Sequence, residues 1–106
     1  MSDFRTIYRI LHLLESSMDY DDGCDPERLT AEALGVSRNR LDAIWAMLSD
    51  DGYVSGVTVR EYLDRQGKTV TVHHPAVTLK GLEYLQENSM MRKAAELAVG
   101  IVGAVS

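Results

Sequence analysis

Cysteine occurs once in this chain of 106 residues, at Cys24. A single cysteine excludes an intramolecular disulfide, and it points to an intracellular, cytoplasmic protein. Long hydrophobic runs are also missing. The longest, residues 97–105, is broken by Gly100 and Gly103 and falls far short of the roughly 18–20 residues of a membrane span. The first residues lack a basic stretch followed by an apolar run, so no signal peptide is expected. Positive charge is in deficit. Eleven Lys and Arg stand against 16 Asp and Glu, a net charge of −5. That balance excludes a general polyanion binder, and any contact with nucleic acid must come from a local patch. No glycine-rich phosphate loop, zinc-ligand spacing or Ser/His/Asp arrangement is present. The expectation is therefore a protein that is not an enzyme, with no cofactor, no metal and no small-molecule substrate.

What is present is enough for one domain. The hydrophobic fraction is 45%, that of a globular protein, and a chain of this length buries about 65% of its unfolded surface in a single core. Residues 3–18 have helical periodicity, with Phe4, Ile7, Ile10, Leu11 and Leu14 on one buried face and Ser2 or Asp3 as cap. An acidic turn follows, Asp19-Tyr20-Asp21-Asp22-Gly23-Cys24-Asp25. Asp25 and Pro26 open a short second helix over residues 27–34, with Leu29, Ala33 and Leu34 on its apolar side. Gly35 stops it in the left-handed conformation. Ser37 caps a third helix, residues 38–50. Leu41, Ile44, Trp45 and Leu48 form its buried face, and Arg38, Asn39, Asp42, Ala43 and Ala46 fall largely opposite. Two β-patterned runs then flank Asp64-Arg65-Gln66-Gly67, which reads as a hairpin. Pro75 has no N–H to donate, so it is expected to end the second strand. Thr78 caps a fourth helix, residues 79–88, with Leu82 and Leu85 inward. Residues 90–106 suit a final helix.

The centre of this order is Leu29-Thr30-Ala31-Glu32-Ala33-Leu34-Gly35-Val36-Ser37-Arg38-Asn39-Arg40-Leu41. A small residue, Ala33, sits in the first helix of the unit and lets two helices approach. A glycine makes the turn, and a serine caps the next helix. That is a helix-turn-helix arrangement. With Leu48-Ser49-Asp50-Asp51-Gly52-Tyr53-Val54 leading into the hairpin, the chain resembles the winged-helix superfamily. The stretch Thr78-Leu79-Lys80-Gly81-Leu82-Glu83-Tyr84-Leu85, with Glu87-Asn88-Ser89-Met90-Met91 and Lys93-Ala94-Ala95, resembles the YjcQ family of small bacterial and phage-encoded proteins. That resemblance implies a winged-helix fold. The expected fold class is mainly α with a small β-hairpin (α+β): a winged helix-turn-helix over residues 1–89 and a helical extension over residues 90–106.

The candidate site follows from the third helix. Its first turn presents Arg38, Asn39 and Arg40, which suits entry into a DNA major groove. The arginines suit phosphate or guanine, and Asn39 suits adenine. Arg65 and Lys68 at the hairpin tip suit an adjacent groove or backbone. The other reading of the same surface is a protein-interaction module that keeps the fold without DNA. The apolar tail has two readings as well, packing on the first helix or pairing with its copy in a homodimer. The acidic turn fails the spacing of a calcium loop, with Cys24 sixth and Thr30 twelfth from Asp19. Like charge beside Cys24 disfavours its thiolate. His73 and His74, adjacent in a strand, are expected on opposite faces. Trp45 is expected in the core. The charge itself is uneven: residues 1–36 hold 3 basic and 8 acidic residues, and residues 37–106 hold 8 of each. The leading expectation is a duplex-DNA-binding transcriptional regulator of phage or prophage type.

Overall fold

The computed structural model describes residues 3–61 and 68–89. The chain is mixed α+β. Helix α1 spans Asp3–Ser16, followed by a 3₁₀ turn at Ser17–Asp19 and a second at Pro26–Leu29. Then come α2 at Ala31–Leu34, α3 at Arg38–Asp50, strands β1 at Val54–Glu61 and β2 at Lys68–Val77, and α4 at Leu79–Glu87. Among the described residues, the two strands form one antiparallel hairpin. None of the described helices is long and apolar enough to cross a membrane.

One core joins these elements. Ile10, Leu11 and Leu14 of α1 pack with Leu34 of α2, with Leu41, Ile44, Trp45 and Leu48 of α3, and with Val54 and Leu85. The predicted buried face of α3 is confirmed, with Trp45 only 2% exposed. Ala46 is a correction: it was expected outside and is buried. Helix α3 contacts both α1 and the hairpin, so its buried arc is wider than one stripe. Phe4 is a correction in the other direction, at 61% exposed. By angle it belongs to the buried face of α1. It lies four residues before Tyr8, the first residue of α1 in the core cluster, although Thr6 between them is buried. Ala33 is exposed too. Ala31, not Ala33, packs against the core.

The predicted second helix is two pieces. The Asp25 carboxylate accepts from the Glu27 N–H and starts the 3₁₀ turn. Thr30 then takes an extended conformation, and its hydroxyl accepts from the Ala33 N–H to start α2. A residue that caps its own helix breaks the preceding one. Gly35 closes α2 as predicted, at φ +71°.

Pro75 does not end β2. The register passes from Ser55 opposite Ala76 to Val57 opposite Val72. Gly56 therefore faces residues 73–75 across a bulge. Pro75 lies where the ladder is already interrupted, so its missing N–H removes no strand bond. Gly56 sits at φ +79°, and a Cβ there would collide with the His74 carbonyl.

Candidate nucleic-acid interface

The turn into α3 is built from local hydrogen bonds. The Gly35 N–H donates to the Ala31 and Glu32 carbonyls, and the Val36 N–H to Ala31. The Ser37 hydroxyl accepts from the Arg40 N–H at 3.1 Å, the predicted cap. These bonds set where the first turn of α3 points. The second anchor was not predicted. The Arg9 guanidinium, on α1, donates to the carbonyls of Ala33 at 3.2 Å and Leu34 at 3.4 Å. A cation on the last carbonyls of a helix satisfies acceptors that have no partner within it. No spacing in the sequence announces a contact across 24 residues.

Arg38, Asn39 and Arg40 are all exposed, as predicted. Among the described residues no side-chain hydrogen bond or ion pair engages Arg38 or Asn39. Arg40 differs. Its Nη1 donates to the Asp3 carboxylate at 2.6 Å, with the two side chains 55% and 46% exposed. Asp3, one of two residues the sequence offers as a cap, lies within α1 as its first residue and is the counter-ion of Arg40. A pair this open to water contributes only about 0–1 kcal/mol, so a phosphate can compete for the guanidinium. Asp3, Ser37, Asn39, Arg40, Ala43 and Met47 line a shallow groove of about 390 Å³, with Ile44 beneath. Met47 is 49% exposed.

Arg65 lies outside the described residues, as does the whole segment 90–106 with its expected helix and homodimer. Lys68 opens β2 and pairs in the backbone ladder with Glu61, the register pair farthest from Val54 and Val77. The structure thus gathers Arg38, Asn39 and Arg40 on one helical turn and leaves Lys68 on a separate element.

The joint between α3, hairpin and α4 is tightly bonded. The Tyr53 N–H donates to Leu48, and the Thr78 N–H donates to Tyr53. Thr78 also caps α4 as predicted, its hydroxyl accepting from Gly81 and donating to the Gly52 carbonyl. Lys80 donates to the Asp51 carbonyl at 2.8 Å and lies over the Tyr53 ring, which meets Tyr84 edge-on. Burial, and then Tyr53, push the Tyr84 hydroxyl pKa above its ordinary value. These contacts fix the angle between helix and hairpin.

A second cleft, of about 360 Å³, lies between the acidic turn and β2, with Trp45, Leu29, Cys24, His73 and His74 among its walls. The two histidines were expected on opposite faces. Both line this cleft, because the bulge at Gly56 breaks strict alternation. His73 Nε2 is 3.0 Å from the Thr58 hydroxyl. The Cys24 thiol is pushed up first by burial and then by Asp25, against a smaller lowering by Arg28. Burial outweighs the like charge that the sequence suggested.

A family model described as YjcQ protein matches residues 8–101. No curated protein and no solved structure matches the chain.

Proposed function

The chain belongs to the YjcQ family, and from that premise we propose that it is a winged helix-turn-helix protein that binds duplex DNA. In this reading α2, the Gly35 turn and α3 form the helix-turn-helix, and β1 and β2 form the wing. The observation that carries it is the first turn of α3. Arg38 and Asn39 stand exposed and without a described partner on a helix whose other side is locked into the core. A helix held by one face and offering cations on the other suits the major groove. Arg38 and Arg40 bind phosphate or guanine, Asn39 pairs with adenine, and Arg65 and Lys68 on the wing bind backbone. The role is that of a cytoplasmic transcriptional regulator of phage or prophage type, acting without a catalytic step. The homodimer through residues 90–106 rests on their apolar sequence and would present two copies of α3 to a palindromic site.

Fluorescence anisotropy with mixed genomic fragments at about 50 mM salt tests the proposal, because backbone attraction is strong there. The intact chain is expected to bind, and Arg38→Ala with Arg40→Ala is expected to weaken binding by at least tenfold. Absence of binding at that salt overturns the DNA reading. Two observations favour the second reading, a non-catalytic protein-interaction module. Arg40 already has a carboxylate partner, and Phe4 is exposed at the same end of α1 as that carboxylate. A chain that fails to bind DNA yet retains its fold leaves this module as the account.

A further inference from the structure

We propose that the outer face of α3 reads thymine methyl groups, through Ala43 and Met47, beside the adenine contact of Asn39. The inference rests on the duplex-DNA reading and specifies the base pairs that surface takes. Successive residues of a helix are about 100° apart. Asn39, Arg40, Ala43 and Met47 therefore share one arc about 100° wide, and all four are exposed. The rest of the helix is largely claimed by the core, through Leu41, Ile44, Trp45, Ala46 and Leu48. The free arc is thus apolar along its middle; at its start Arg40 is paired with Asp3, which lines the same groove, and it ends at the exposed Asp50.

The apolar stretch has a specific match in DNA. In the major groove, thymine alone among the four bases offers a methyl group, and small or apolar side chains contact it. Asn39, Ala43 and Met47 stand at i, i+4 and i+8, about 6 Å apart along the axis. That is near two base steps of about 3.4 Å. Ala43 is small enough for the helix to approach the base edges. Met47 is long, unbranched and polarizable, which lets it fit a methyl without fixed geometry. The charge order agrees. Arg38 and Arg40 lie at the N-terminal end, where they would hold phosphates, Arg40 in exchange for Asp3, and the middle of the arc, which has no charged side chain of its own, would meet the bases. Asp50, roughly 10 Å beyond Ala43, stands clear of that middle.

The test replaces thymine with uracil, which pairs identically and lacks only the methyl. A duplex is first selected from a randomised pool by binding to the full chain. The selected site is then made with thymine or with uracil. The expected site contains A·T pairs. Affinity is expected to fall about fourfold for each contacted methyl lost, the size of one buried carbon group. Met47→Gln is expected to abolish the thymine–uracil difference at one position while leaving thermal stability unchanged, since Met47 is half exposed. Ala43→Gln, also at an exposed position, provides the second variant and is expected to weaken binding by blocking close approach. Equal affinity for thymine and uracil duplexes overturns this inference and leaves duplex binding standing. Selection of sites with only G·C pairs overturns it equally. Failure to bind any duplex overturns the DNA reading and this inference together.

Discussion

Asp3 and Arg9 show how single residues of α1 shape the candidate surface. Asp3 neutralises Arg40 from 37 residues away, and Arg9 holds the last carbonyls of α2. Neither role is legible in the sequence, because both depend on how two helices cross. Three caps are legible, each acting within three residues: Ser37 on Arg40, Thr78 on Gly81, and Asp25 on Glu27; Thr30 on Ala33, over the same distance, is not. Cys24 lies between these cases. Its charged neighbours are visible in the sequence, and its burial is not. The raised thiol pKa means a smaller thiolate fraction at neutral pH than in a free cysteine, and the thiolate is the reactive form. Labelling with a maleimide is therefore expected to be several-fold slower than for free cysteine at pH 7 and to accelerate as pH rises. Arg28→Ala removes the one charge that lowers this pKa and is expected to slow labelling further. A thiol that reacts as fast as free cysteine contradicts this account.

At the scale of elements, α3 is the best-predicted piece and the hairpin the worst. A capping serine and four apolar residues in register give α3 its bounds without tertiary help. The second strand depends on a bulge, and a bulge is a relation between two strands rather than a pattern in one. Pro75 reads as a strand end until Gly56 is seen opposite residues 73–75. The short predicted second helix divides for a similar reason, since Thr30 serves as cap where it was read as interior. The bulge makes Gly56 the critical residue of the hairpin. Gly56→Ala places a Cβ at φ +79° against the His74 carbonyl. The cost is expected at about 1–3 kcal/mol, read as a lower midpoint in urea unfolding. An unchanged midpoint would show that the hairpin accommodates a side chain there, against the geometry described.

At the scale of the whole molecule, charge decides what the protein can bind. The net charge of −5 belongs to residues 1–36, and the remainder sums to zero. The candidate surface draws on both parts, since Asp3 comes from the acidic portion and Arg38, Asn39 and Arg40 from the neutral one. Binding by one copy is therefore expected to be weak, and a second copy would double the cationic turns presented. Light scattering on the full chain and on a chain ending at Ser89 tests that pairing. The full chain is expected as a dimer and the shortened one as a monomer, and two monomers would refute pairing through residues 90–106.

The salt dependence of DNA binding bears most directly on the central claim. Each phosphate neutralised adds about 0.9 to the steepness of log affinity against log salt. The intact chain is predicted to bind duplex DNA with a steep negative slope. Arg38→Ala with Arg40→Ala is predicted to make that slope shallower by about 2. An intact chain that does not bind, or a slope that the double substitution leaves unchanged, would contradict the assignment of this turn of α3 as the DNA-contacting surface.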